Sequence, residues 1–493
     1  MKDAWPTFRY DDGMRAVLRQ HPYLLPLVLL ALFAFPLKVG LKPDAAIYAA
    51  IARNLGEYGL WPMQVSTQIF PLYYEHPPGI LWAMAFFQKL PLPLLWTSAL
   101  FSRLCTLGVF ALGFHLLRKK AGEAFVARSV LFAVLLLTWG QFLKYAGAAQ
   151  LEGPTALVVL LWAGLFLRNE TGSAKHFLGA LALGLLGLLS KGILFAPLLL
   201  GAVVVSLPGN GLTSLRWGKA LGLALGFGLG VAWLSFLDQS SGTDFQGYYW
   251  KRLALWASSG AREHSSGIFE RLWGFLRGEL RYSGLWSLPL WALMLRTLVR
   301  EGVRGVWRDP VHRVFFVFYL LFMGPIVMAD IKMPHWPVPI YPLAALWISY
   351  TVPVEGSALF RRWVLERKVL SGFTVVLAVV LATFPYPVES VYGRGEEWIF
   401  HREFLLRETR PLVVTALDHR EYPDKVYAAL FLGRDYPLRF ESTAEALQRP
   451  CGSELLWVHR EQFVGHESEF SQRGWAALPH QHPNAVLLEC VTR

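Results

Sequence analysis

Apolar runs broken by short charged turns fill roughly the first 385 residues of the chain, and after them the pattern changes. A bilayer core about 30 Å thick calls for spans of about 17 to 25 apolar residues. Residues 23–41, 96–117, 125–143, 153–167, 177–189, 192–207, 217–237, 285–294 with their flanks, 314–329, 336–352 and 369–384 read as eleven crossings. Several are short, and 177–207 also reads as one broken pair around Ser190, Lys191 and Gly192. Residues 79–90 are shorter than a span and closed by Pro91 and Pro93, which predicts an interfacial or re-entrant piece. Ahead of it, Pro43 and Asp44 suit the first turn of a helix, where a missing N–H costs nothing and a carboxylate is favoured. Ile47, Ile51 and Leu55 then recur at helical spacing with Tyr48 and Arg53 off that stripe, predicting a helix lying flat on a membrane surface.

Charge fixes the sidedness of this pattern. With 79–90 not crossing, Arg118 with Lys119 and Lys120, Arg168 with Lys175, Arg216 with Lys219, the run Arg296, Arg300, Arg304, Arg308 and Arg313, and Arg361, Arg362, Arg367 and Lys368 fall on the side of the basic N-terminal segment. Counting 79–90 as a crossing turns them outward, against the positive-inside rule. Residues 1–22 are therefore expected in the cytoplasm, with the first apolar segment retained as a signal anchor. Residues 23–386 are expected to form a membrane domain with outer loops 42–95 and 238–282. In the second loop two amphipathic pieces flank a Gly/Ser break carrying Arg262, Glu263 and His264, either a solvated linker or a substrate lid.

Residues 387–493 alternate short β-rich stretches (PLVVTAL, ELLWVH, AVLLEC) with helical ones, as in a small extracytoplasmic α/β domain. They hold Cys451 and Cys490, a candidate disulfide if this part lies outside the cytoplasm. Composition agrees with an all-α polytopic membrane protein bearing such a tail: 54% of the 493 residues are hydrophobic and 20 are Trp. The net charge of +12 resides in clusters between apolar runs, and no basic patch interleaved with stacking aromatics accompanies it, which argues against nucleic acid.

The outer turns carry few charges, and those they carry include carboxylates and histidines that topology does not need. Asp44 and Glu152 each open an apolar helix. His76, Lys144, Lys191, Arg262, His264, Lys332 and His335 share their side, and Arg103 lies a third of the way into its span from that end. Acids and cations together at an apolar face suit a reaction in which a carboxylate takes a hydroxyl proton while cations hold an anionic leaving group such as a lipid phosphate. The plainer reading has Asp44 and Glu152 capping helices, His76 anchoring its turn, and Lys191 and Lys332 snorkelling to the interface.

Asp44 with Tyr48, the turn Glu75-His76-Pro77-Pro78, Glu152 opening a span, Ser190-Lys191-Gly192 between two spans, and Lys332 ahead of Pro339-Ile340-Tyr341-Pro342 together resemble the polyprenyl-phosphate-sugar-dependent glycosyltransferases of the C-type fold. Within these the chain is similar to relatives of protein O-mannosyltransferases and of lipid A aminoarabinose transferases. The resemblance implies a multi-pass inner-membrane enzyme, a hexosyl- or pentosyltransferase. It would move a sugar with inversion from polyprenyl phosphate to a lipid, glycan or protein acceptor. It casts Asp44 as catalytic base, Glu152 as a second acid that orients the acceptor or supports the base, and His76 and Lys191 as contributors to the donor phosphate site. Arg103, Arg262, His264, Lys332 and Tyr48 complete the candidate binding residues. The acidic pair common in the family is here Asp44 followed by Ala45, which weakens a metal-dependent mechanism, so no cofactor is expected. The alternatives are a lipid or sugar translocator without covalent chemistry and a non-catalytic assembly subunit. A translocator, however, is expected to hold its ionisable residues near the bilayer midplane, often in repeated halves.

Overall fold

A computed structural model describes residues 43–58, 76–92, 94–121, 124–146, 150–167, 174–207, 214–241, 268–282, 286–328 and 335–353, most of 404–415, 436–448, 450–479 and 485–491, and a few positions between them. Apart from Val28, the expected spans 23–41 and 369–384 lie outside these residues. The chain divides into two compact units, one of residues 1–35, 75–80 and 101–384, the other of 36–74, 81–100 and 385–493.

The helices before the tail are α1 (Pro43–Tyr58), α2 (Gly79–Gln88), α3 (Leu94–Ala121), α4 (Phe125–Thr138), α5 (Gly140–Ala146), α6 (Glu152–Leu167), α7 (Ala174–Lys191), α8 (Ala196–Ser206), α9 (Ser214–Ser241), α10 (Ile268–Tyr282), α11 (Ser287–Arg308), α12 (Pro310–Met328) and α13 (Tyr341–Thr351). Among the described residues four are long and apolar enough to cross a membrane: Trp96–Arg118 within α3, Ala174–Lys191, Trp217–Ser240 within α9, and Pro310–Val327 within α12. The chain is a membrane protein. Helices α2, α4, α6 and α8 are apolar but shorter. Among the described residues the expected crossings correspond to a mixture of long helices and short ones, because hydropathy records apolar length and not helical continuity. Residues 125–143, read as one span, are divided at Trp139, whose ψ of 86° separates α4 from α5. The short span expected at 285–294 belongs to a longer helix, α11, which breaks at Gly302.

In the first unit the helices run back and forth between two ends. At one end α6 begins at Glu152 and α7 finishes at Lys191. At the other, Lys219 near the start of α9 donates to the Leu165 carbonyl near the end of α6 at 2.8 Å. Helix α7 packs along α9. The approach is close because Gly222 and Gly226 of α9 meet the backbone of Phe177 and Leu181, where any Cβ would collide. The far side of α9 shows Leu221, Leu225, Leu229, Trp233 and Phe236 at exposed positions, an apolar stripe suited to lipid. Helices α4 and α13 lie together, with Trp139 stacked on Tyr341 at 4.3 Å at one end and Arg128 over the Tyr350 ring at the other.

In the second unit α1 is not the surface helix its stripe predicts. Residues 45–52, Tyr48 included, are buried all round. The alanines Ala45, Ala46, Ala49, Ala50 and Ala52 make this possible, since they let neighbours approach from every side. Gln88 ties the segments together, donating to the Ala49 carbonyl at 3.0 Å and to Ser98 Oγ at 2.8 Å. Helix α2 has ten residues, about 15 Å, and so is too short to cross, as its sequence implies.

The tail of this unit forms a five-stranded sheet from β1 (Leu412–Thr415), β2 (Leu438–Glu441), β3 (Leu455–His459), β4 (Trp475–Ala477) and β5 (Ala485–Cys490), with helices α14 (Thr443–Gln448) and α15 (Arg460–Gln472). The order is β2-β1-β3-β5-β4, parallel through β2, β1 and β3 and antiparallel thereafter. Strands β1 and β3 are buried throughout, as central strands of apolar composition should be. The Cys451–Cys490 disulfide joins the turn before β3 to the end of β5, with Cα atoms 5.3 Å apart.

Candidate active site

Glu152 opens α6, so its carboxylate lies where unpaired N–H groups and the helix dipole favour an anion. That end of α6 is held from outside. Ser102 of α3 donates to the Gln150 carbonyl at 2.7 Å, and Thr106, one turn on, to that of Ala146 at 2.8 Å. Trp162, farther along α6, donates to the Leu183 carbonyl at 2.9 Å and so fixes α7 against α6.

This alignment delivers Lys191, the last residue of α7, to Glu152. The ammonium donates to Glu152 Oε1 at 2.5 Å, both side chains being about 3% exposed. His335 Nε2 lies 3.9 Å from the same oxygen, and its ring packs against Tyr145 with centroids 5.3 Å apart. Lys144 Nζ lies over the same Tyr145 ring, 5.5 Å from its centroid. The chain leaves α7 through Gly192, whose φ of +56° ends the helix. A side chain there would strike the Tyr249 hydroxyl and approach the Pro77 ring to 3.0 Å. The His76-Pro77-Pro78 turn is therefore packed directly on the end of α7. Tyr249 is held in its turn: Asp238, near the end of α9, accepts from the N–H groups of Phe245 and Gln246, and Phe245 stacks on Tyr249.

His76 is within electrostatic reach of Lys191, Glu152 and His335. Burial, with Lys191 second, depresses its imidazole to about 3, while Glu152 opposes the shift. The ring is neutral at physiological pH. It can donate or accept a hydrogen bond to a bound phosphate but supplies no charge, in contrast to its expected place among the cations. Lys191 carries the charge, and it is already engaged with Glu152.

The structure therefore brings together Glu152, His76 and Lys191 and adds His335, which the sequence places only on the same side. Tyr145 and Tyr249 support the group without any sequence signal beyond their aromatic type. Arg103 is buried on α3 beside Ser102. Asp44, in the first turn of α1, and Tyr48 belong to the other unit. Arg262, His264 and Lys332 lie outside the described residues. Among the described residues no three His, Cys, Asp or Glu side chains converge as metal ligands.

No family model matches the sequence, and no curated protein matches it significantly. The structure does have likenesses. ArnT from Cupriavidus metallidurans, solved bound to undecaprenyl phosphate, superposes with a TM-score of 0.66 over 96% of this chain and 98% of that one, at 14% identity. Its apo state gives 0.65 at the same identity and coverage. The chain shares the fold of these two structures. An oligosaccharyltransferase from Archaeoglobus fulgidus, solved with zinc and sulfate, is more distant, with a TM-score of 0.49 at 12% identity over 92% of this chain and 68% of that one.

Proposed function

We propose that this protein is an inner-membrane glycosyltransferase that takes a sugar from a polyprenyl-phosphate donor and transfers it, with inversion, to an acceptor on the extracytoplasmic side. The observation that carries the reading is the buried Glu152–Lys191 pair with His76 and His335, set at one end of a fold shared with a protein solved with undecaprenyl phosphate. The Cys451–Cys490 disulfide supports an oxidising compartment for the tail.

In this reading Asp44 is the base. It accepts the acceptor's hydroxyl proton as that oxygen attacks the anomeric carbon, and the bond from that carbon to the phosphate oxygen breaks with its electron pair going to polyprenyl phosphate. One in-line displacement inverts the anomeric centre. Lys191 meets the leaving phosphate, and His76 donates a hydrogen bond to it as a neutral ring. A donor phosphate competes with Glu152 for Lys191, so donor arrival loosens the Glu152 carboxylate and makes it available to orient the acceptor. Arg103, Tyr48, Arg262, His264 and Lys332 fill the remaining binding roles.

Purified protein in nanodiscs, given polyprenyl-phosphate sugars and envelope lipid or glycan acceptors, tests this. Asp44→Asn should abolish transfer and leave donor binding nearly intact, whereas Lys191→Ala should weaken donor binding. Full transfer by Asp44→Asn would remove the assigned base. Donor binding with no transfer to any acceptor, in wild type as in the variant, would favour translocation without covalent chemistry.

A further inference from the structure

On both sides of its break at Gly302, the second half of α11 combines exposed cations with exposed apolar side chains. Arg296, Arg300, Arg304 and Arg308 are all exposed, and they make no ion pair among the described residues. Beside them Leu295, Val299 and Val303 are 63%, 77% and 74% exposed, far more than the opposite edge, where Thr297 and Val306 are buried. Only two acids occur between residues 295 and 313, and both carboxylates have partners. Glu301 Oε2 lies 3.3 Å from His312 Nε2, whose Nδ1 accepts from the Trp347 indole at 3.0 Å. Asp309 accepts from the N–H groups of Val311 and His312 and from the Tyr350 hydroxyl. Apart from Glu301, whose carboxylate is turned to His312, the exposed side chains here are cationic or apolar.

Its position in the fold is also defined. Helix α12 starts two residues after Arg308 and runs for 19 residues, about 28 Å; His335, near Glu152, lies seven residues beyond its end. The Arg308 end of the row and the Glu152 cluster thus lie about one bilayer thickness apart along α12. Trp307 is half-buried at the same level, with the Arg313 guanidinium 5.9 Å from its ring centroid, an aromatic of the kind that settles at headgroup depth.

We propose that this edge of α11 is a binding surface for anionic phospholipid headgroups of the leaflet opposite the Glu152 cluster. The arginines pair with the phosphates while Leu295, Val299 and Val303 enter the acyl region. Topology alone requires cations on this side. It does not require an apolar edge between them or the engagement of both neighbouring acids with other partners. The inference is independent of the proposed sugar transfer.

The test uses the full chain in nanodiscs of equal phosphatidylcholine and phosphatidylglycerol, released into native mass spectrometry so that retained lipids are counted. Wild type should retain phosphatidylglycerol preferentially. Arg300→Gln/Arg304→Gln should lower that preference about thirtyfold, as expected from two cations near an anionic surface. Arg296, Arg308 and Arg313 remain in this variant to hold the topology. Arg277→Gln/Arg473→Gln, which removes the same charge elsewhere, should change nothing. Equal retention of both lipids by wild type, an equal loss in the control, or a stable dimer that buries this edge would overturn the proposal.

Discussion

Removing Lys191 while keeping Glu152 leaves a carboxylate about 3% exposed whose remaining ion-pair partner among the described residues is His335, at 3.9 Å. Breaking a buried pair from one side costs about 3 to 5 kcal/mol, because the remaining charge is desolvated without compensation, whereas removing both charges with shape conserved is often close to neutral. Lys191→Met should therefore destabilise by about that amount, and Glu152→Gln by a similar amount through the stranded ammonium. The double variant Glu152→Gln/Lys191→Met should be more stable than either single one, giving a coupling of about 2 kcal/mol or more of the kind reserved for groups in direct contact. Thermal unfolding in a fixed detergent, at one scan rate and one protein concentration, ranks the four proteins even where unfolding is irreversible. Strictly additive losses would refute the reasoning, since the two charges would then stabilise the chain through separate partners.

Other outcomes follow from the same geometry. Stability should fall as pH drops below about 6.5. His76 in the unfolded chain gains a proton there, while in the folded protein it stays neutral down to about 3, so the unfolded state binds more protons throughout that window. His76→Gln should flatten that part of a melting-temperature profile recorded between pH 8 and 5, and an unchanged slope would contradict the assignment. Gly192→Ala should cost about 1 to 3 kcal/mol from its positive φ, with added crowding against Tyr249 and Pro77. A melting temperature equal to wild type would show that the turn can relax. Cys451→Ser/Cys490→Ser should lower stability of the tail by up to about 4 kcal/mol on chain-entropy grounds, read by limited proteolysis of residues 450–491.

What the sequence revealed depended on whether the signal was local. Long apolar runs, Glu152 and Asp44 at helix starts, and the breaks at Gly192 and after Gln88 depend on a few neighbouring residues, and they appear where expected. The tail's sheet was legible for the same reason, because Leu412–Thr415, Leu455–His459 and Ala485–Cys490 are dense in β-branched and apolar residues. Burial of α1 was hidden, since a run of alanines is compatible with either a surface or a tightly packed interior. The Trp139 break is marked in the sequence only by Gly140 directly after it, a weak signal inside an otherwise unbroken apolar run. Within the site, sequence could sort residues by side but not pair them. That Lys191 meets Glu152, and that His76 is neutral, are consequences of how α6, α7 and the His-Pro-Pro turn pack together.

The claim that the chain moves sugar is tested most directly by mass spectrometry of envelope lipids and glycans from a strain lacking the protein, complemented either by wild type or by Asp44→Asn. The account predicts that one class of envelope molecule loses a single sugar in the deletion strain. Wild type should restore that sugar, and Asp44→Asn, present in the membrane at the same level, should not. Identical envelope profiles in all strains, or full restoration by Asp44→Asn, would contradict it.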